Sequence, residues 1–116
     1  MAKMHNSNAL YSGRPGGLDI EWPRGAYFFM YAQVPWDISV ATFHAALLDG
    51  AGAEIATMEV TGTPYDTTSG LISCSMSEAI TENLPPTSRW YLDQIQGGHT
   101  YPKFGGTFTV LEDGDA

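Results

Sequence analysis

The sequence has a single cysteine, few cations and no long hydrophobic run. One cysteine excludes an internal disulfide framework. Cys74 lies in a segment where apolar residues alternate with serines, and no lysine or arginine flanks it, so we predict a small core residue rather than a reactive thiol. No segment approaches the length of a transmembrane helix, and the first residues lack the apolar core of a secretory signal. The sequence therefore predicts neither membrane insertion nor secretion by the general route.

Positive charge is also scarce, with 5 Lys and Arg against 13 Asp and Glu and a formal net charge of −8. Such a balance repels nucleic acid and anionic lipid at long range. We therefore expect no direct nucleic-acid partner and no membrane partner. Docking onto a basic protein surface remains compatible with this charge.

The sequence is rich in residues that favour turns, with 13 Gly and 7 Pro spread over 116 residues. Residues 88–113 form the strongest local pattern, in which two aromatic and β-branched runs flank Gly97-Gly98 and so predict a β-hairpin. The alternation of the first run breaks near Asp93, which predicts a bulge or a change of sheet there.

The whole chain reads as one all-β domain with about seven strands. Residues 1–17 are predicted to be an extended N-terminal arm, residues 18–113 a β-sandwich, and residues 114–116 an acidic tail. A long strand is expected over residues 38–49 and an exposed loop over residues 61–70. One short helix is expected after Ser77, which can cap it.

One predicted strand, over residues 26–34, is apolar on both faces. Its large side chains alternate between Tyr27, Phe29 and Tyr31 on one face and Phe28, Met30 and Val34 on the other. Both faces are therefore expected to be covered, one by the core and the other by a partner. The alternative is a central strand with a loop over its outer face.

The arm carries two apolar residues, Leu10 and Tyr11, in an otherwise polar, glycine-rich segment. We interpret them as anchors on a neighbouring subunit, and the alternative that the arm folds back on its own domain stays open.

No set of residues with catalytic or metal-binding spacing was found. His5, His44 and His99 are isolated in the sequence, and no nucleophile motif or phosphate loop occurs. We expect no enzyme activity, no cofactor and no metal. Trp36, in a Pro-Trp-Asp turn, is predicted to face outward, and a carbohydrate-binding module with Trp36, Tyr65 and Tyr101 on one face is the alternative function.

Three segments together resemble the small immunoglobulin-like β-sandwich proteins of tailed-phage virions, akin to the N-terminal domains of baseplate upper proteins. These segments are Ile20-Glu21-Trp22-Pro23-Arg24-Gly25, residues 72–84 with their Ser-x-x-x-Thr-x-x-Leu ending, and Trp90-Tyr91-Leu92-Asp93 followed by Gly105-Gly106-Thr107-Phe108-Thr109-Val110. The chain departs from the pattern in its aromatic run at residues 26–29 and in the turn at residues 35–40.

The resemblance implies an immunoglobulin-like antiparallel sandwich and a structural role in the virion, assembled in the host cytoplasm. Its implied partners are other virion proteins and further copies of the chain. It does not distinguish capsid decoration from a fibre or baseplate adaptor. The residues predicted to bind partners, from the arm, the apolar strand face and the Pro-Trp-Asp turn, are Leu10, Tyr11, Tyr27, Phe29, Tyr31 and Trp36.

Overall fold

The computed structural model describes residues 16–112, which form eight strands and one short helix. The strands are β1 (Gly16–Gly17), β2 (Ile20–Pro23), β3 (Phe28–Val34), β4 (Thr42–Leu48), β5 (Glu54–Asp66), β6 (Ser69–Met76), β7 (Thr87–Gln96) and β8 (His99–Leu111), and the helix α1 spans Glu78–Glu82. The predicted all-β fold with one helix is confirmed. No helix within residues 16–112 is long and apolar enough to cross a membrane.

The strands form two layers that share β5. The first layer holds β1 and β2 beside β8, followed by β7, β4 and the first part of β5; the second holds the rest of β5, then β6 and β3. This arrangement is that of an immunoglobulin-like sandwich, in which the first and last strands meet in one layer. The pairs are antiparallel except that β1 and β2 run parallel to β8.

The hairpin of β7 and β8 has the predicted turn. Gly97 and Gly98 both have positive φ angles, 62° and 79°, which a two-residue hairpin turn of the mirror-image type requires and glycine adopts without strain. Trp90, Leu92 and Phe108 lie on the buried face of the hairpin. The predicted hairpin is therefore confirmed.

The irregularity predicted near Asp93 is present, but the extra residue lies on the partner strand. Leu92 pairs with Phe104 and Asp93 pairs with Pro102, so Lys103 in β8 has no residue opposite it. β7 keeps its alternation, because Gln94 is buried on the same face as Leu92. The bulge thus adds one residue to β8 and leaves β7 regular.

The core lies between the two layers and is rich in aromatic side chains. Phe28 of β3 contacts Phe108 of β8 edge to face, with ring centroids 5.3 Å apart, and Trp22 contacts Phe28 at 4.8 Å. The indole Nε1 of Trp90, a side chain only 2% exposed, donates a 2.7 Å hydrogen bond to the Leu18 carbonyl. The core therefore joins both layers and also fixes the segment between β1 and β2.

Helix α1 follows Ser77, as predicted, and packs at one end of the sandwich. Ser77 caps it by accepting a hydrogen bond from the Ile80 N–H, and Leu84 is buried just beyond it. The Thr81 hydroxyl, which is buried, donates to the Ala26 carbonyl at 2.9 Å. The helix is thereby tied to the segment that leads into β3.

Arg24 joins three elements at this same end. Its guanidinium binds both carboxylate oxygens of Glu112 at 2.8 and 2.6 Å and donates to the carbonyls of Glu82 and Leu84. The hydrogen bond to Arg24 lowers the pKa of Glu112 below its usual value. The start and the end of the described chain are therefore held together.

Two predicted boundaries were wrong. The predicted strand over residues 38–49 begins only at Thr42, because Ile38 turns inward and packs so closely on Gly70 that a Cβ there would lie 2.6 Å from its side chain. The predicted loop over residues 61–70 is mostly strand, since β5 continues to Asp66 and a tight turn leads directly into β6.

Candidate functional site

Three large exposed side chains, Tyr27 just before β3 and Phe29 and Tyr31 on its outer face, are here called the aromatic strip. They are 52%, 47% and 56% exposed, whereas the intervening Phe28 and Met30 are buried. The rings of Phe29 and Tyr31 lie 6.1 Å apart. The predicted separation of the two faces is therefore present, and the outer face is open to solvent.

β3 is an edge strand. It stands at the end of the strand order and, among residues 16–112, pairs with β6 alone. The alternative of a central strand under a loop is therefore wrong for this strand. An exposed edge presents unpaired backbone N–H and C=O groups to which a further extended segment can bind.

The surface beside the aromatic strip is shallow and nearly uncharged. Phe29 lies opposite Ser75, which in turn lies opposite Glu59, and Tyr31 lies opposite Ser73. A small cavity of about 150 Å³ opens next to Tyr27, with Glu59 as its one charged lining residue. This part of the surface combines aromatic rings, small hydroxyl side chains and one carboxylate.

The other predicted contact residues lie elsewhere or outside the described chain. Leu10 and Tyr11 fall outside residues 16–112. Trp36 is half-buried and not fully outward, and its Nε1 donates a 2.9 Å hydrogen bond to Gln94 in the first layer. The structure thus links Trp36 to β7 and β8, whereas the aromatic strip belongs to the second layer.

A second candidate surface lies at the turn end of the β7–β8 hairpin. We call it the hairpin groove; it has a volume of about 450 Å³ and is lined by the side chains of Trp36, Gln94, Gln96, His99, Tyr101 and Lys103. The Lys103 ammonium lies 4.7 Å from the centroid of the Trp36 ring and 5.7 Å from that of Tyr101. Of the three predicted sugar-stacking residues, Trp36 and Tyr101 meet here, but Tyr65 is not part of the lining.

A cluster of titratable side chains lies on the outer face of the first layer, and the sequence analysis missed it. His44 Nε2 lies 3.2 Å from a Glu54 carboxylate oxygen, to which the Tyr91 hydroxyl also donates at 3.2 Å. The hydrogen bond with His44 lowers the pKa of Glu54, while desolvation raises the pKa of Tyr91. His44 seemed isolated because its partners come from β5 and β7, and only the register reveals them.

The cluster is open to solvent, with the His44 and Glu54 side chains 41% and 42% exposed. Its side chains lie on an exposed sheet face, where a cross-strand pair of this kind stabilises the sheet modestly. Within the described part of the chain, no group of three or more His, Cys, Asp or Glu side chains is placed to hold a metal ion.

Cys74 is buried at the centre of β6, as predicted. Burial raises the pKa of its thiol to about 12. Since the thiolate is the reactive form of cysteine, this side chain is a packing residue in the folded protein.

These surfaces define the class of the molecule: an immunoglobulin-like β-sandwich with an aromatic edge strand and a polar, aromatic groove at one hairpin. No family model matches the chain, and the comparison with curated proteins finds no match.

Proposed function

We propose that the protein is a non-enzymatic assembly subunit that binds neighbouring protein subunits through the aromatic strip. The observation that carries the proposal is the group of three half-exposed aromatic side chains on and just before β3, the edge strand of the sheet that residues 16–112 form. Single exposed apolar residues are common on protein surfaces, but a contiguous aromatic group marks an interaction surface. Aromatic residues also contribute most of the binding energy in many protein interfaces.

The proposed occupant is the N-terminal arm of a second copy, with Leu10 and Tyr11 against the aromatic strip. Charge supports this choice. The arm, residues 1–17, holds Lys3 and Arg14 and no acidic residue, so its formal charge is +2, and the remaining chain holds Arg24, Arg89 and Lys103 against all 13 acids, which gives 3 − 13 = −10. A cationic arm and an acidic body attract each other, and Glu59 lies next to the strip.

The resemblance noted in the sequence supplies the biological setting of the proposal. A subunit of this kind would belong to a tailed-phage virion and contact other virion proteins in many copies. Mass spectrometry of purified particles tests this setting directly, because the chain must be present there at a fixed copy number.

Complementation between two variants tests the arm exchange. One variant lacks residues 2–15 and keeps the strip, and the other carries Phe29→Ser with Tyr31→Ser and keeps the arm. We expect the full chain to be oligomeric by light scattering, each variant alone to be monomeric, and an equal mixture to form a heterodimer. Val40→Ser, which removes a 70% exposed apolar side chain elsewhere, should leave the oligomer intact.

Two results would contradict the proposal. A full chain that stays monomeric at every concentration has no arm exchange, and a mixture of the two variants that fails to associate shows that the arm does not bind the strip of another copy.

A further inference from the structure

The bulge in β8 places the Lys103 ammonium group in the hairpin groove. Lys103 is the residue without an opposite partner, and removing it would leave Asp93 paired with Pro102 and Leu92 with Phe104 as consecutive steps of a regular ladder. Strand pairing therefore does not need Lys103. Bulges commonly redirect a side chain beside a functional site, and this one places an ammonium group over two aromatic rings.

The charge of Lys103 has no carboxylate partner in the described chain. Within residues 16–112 its contacts are with the rings of Trp36 and Tyr101, and no acidic side chain lines the hairpin groove. The whole protein has a net charge of −8, whereas the lining of this groove contains a cation and no acidic side chain. Such a groove favours an anionic ligand.

The polar side chains of the groove are held in place. Gln94, only 5% exposed, accepts a hydrogen bond from Trp36 Nε1 at 2.9 Å and donates one to Gln96 Oε1 at 3.0 Å. The strand register brings the groove residues together, since Tyr101 lies opposite Gln94 and His99 lies opposite Gln96 in the β7–β8 ladder. Gln94 therefore positions Gln96, whose ordered amide can bind a hydroxyl group with a defined direction.

The rings have different roles. Lys103 lies over the Trp36 ring, so Trp36 acts as a positioning residue for the ammonium group. The ring of Tyr101 is 46% exposed and offers a flat apolar surface at the mouth of the groove.

We propose that the hairpin groove binds an acidic saccharide. The ligand carboxylate pairs with the Lys103 ammonium, the C–H face of the sugar ring packs on Tyr101, and a hydroxyl group bonds to the amide of Gln96, which the buried Gln94 holds in place. One ammonium matches the single charge of a carboxylate better than the higher charge of a nucleotide phosphate chain. This site uses none of the residues of the aromatic strip and so stands independently of the proposed assembly role.

Binding of oligogalacturonate and of sialyl-lactose to the full chain, measured by calorimetry, tests the site. The methyl ester of the oligogalacturonate and unmodified lactose are the matched neutral probes. We expect saturable binding of at least one acidic probe and weakening by about tenfold or more for its neutral counterpart, for Lys103→Met and for Tyr101→Ala. Deletion of Lys103 should abolish binding while the circular dichroism spectrum and the cooperative unfolding transition persist.

Two controls make the result specific. Arg89→Met removes an exposed cation on the same hairpin, and Tyr65→Ala removes a tyrosine of similar exposure outside the groove; both should bind the acidic probe like the unaltered chain. The proposal is overturned if neither acidic probe binds saturably, if the neutral probe binds as tightly as the acidic one, or if Lys103→Met leaves the affinity unchanged.

Discussion

At the scale of single residues, a close approach between two backbone segments depends on Gly106. The Leu18 carbonyl lies directly over this glycine and accepts the hydrogen bond from Trp90 Nε1. The next residue, Asp19, accepts a hydrogen bond from the Thr107 N–H with its carboxylate. A Cβ at position 106 would overlap the Leu18 carbonyl oxygen. The absence of a side chain here is what lets the chain cross from β1 to β2 against β8.

Gly106→Ala should therefore destabilise the protein strongly. The added methyl group must push the Leu18 backbone away and break its hydrogen bond with Trp90, so we expect a loss of about 2 kcal/mol or more in the free energy of unfolding. Gly50→Ala is the matched control, because a Cβ there meets no atom within 4 Å and the turn does not need a positive φ angle at this position. Urea denaturation measures both, and equal stabilities for the two variants would contradict the close approach.

At the scale of elements, the hairpin of β5 and β6 replaces the long loop expected from the sequence. The turn depends on Asp66, whose carboxylate oxygen accepts the backbone N–H of Thr68 at 2.7 Å and the hydroxyl groups of Thr68 and Ser69. The threonine-, glycine- and proline-rich composition of residues 61–70 favoured a loop, yet the pairing of β5 with β6 overrides these local preferences.

Asp66→Asn should weaken this hairpin in a pH-dependent manner. The hydrogen bond from the Thr68 N–H, with the others, lowers the pKa of Asp66 below its ordinary value of 3.8. The ionised carboxylate therefore stabilises the fold at pH values above 3.8, and this contribution is lost as the pH falls through the lower pKa of the folded state. We expect the variant to be less stable than the unaltered chain at pH 7 and the difference to shrink in acid.

Thermal unfolding from pH 7 to pH 2 measures this difference. Thr67→Ala, in the same turn but outside the hydrogen-bond set of Asp66, should show a difference from the unaltered chain that does not vary with pH. If the stability difference between Asp66→Asn and the unaltered chain is the same at every pH, the turn does not stabilise the ionised carboxylate of Asp66.

Elements with strong local patterns were predictable from the sequence, and contacts between distant strands were not. The alternation of β3, the Gly97-Gly98 turn and the Ser77 cap depend on neighbouring residues, so their signals lie within short windows. The hairpin groove requires Trp36 to meet Gln94, and the His44 cluster requires β4 to lie between β5 and β7. Those contacts depend on strand order and register, which no short window of the sequence contains because they are set by the whole fold.

At the scale of the whole molecule, the first and last strands close the sandwich. β2 runs parallel to β8, and Arg24 binds Glu112 beyond the ends of both strands. A core built from both layers and closed in this way is expected to open as a single unit, since side chains such as Phe28 and Phe108 lose their shared contacts when the layers separate.

Cys74 provides a direct measure of this opening. It lies at the centre of β6, where it faces Met30 of β3 and Val60 of β5 across the two ladders, and it is the single thiol of the chain. Burial raises its pKa to about 12, so both access and ionisation oppose its reaction in the folded state. Reaction with dithionitrobenzoate should therefore require unfolding and proceed about a thousandfold or more slowly than in urea-unfolded protein.

Ser39→Cys supplies the internal reference for this measurement, because residue 39 is exposed in the turn before β4. In that variant one thiol should react at once and the second only at the slow rate, which must rise with urea in parallel with the unfolding equilibrium. If Cys74 instead reacts at the rate of the thiol at position 39, the two layers separate locally around β6 and the sandwich is not one cooperative unit.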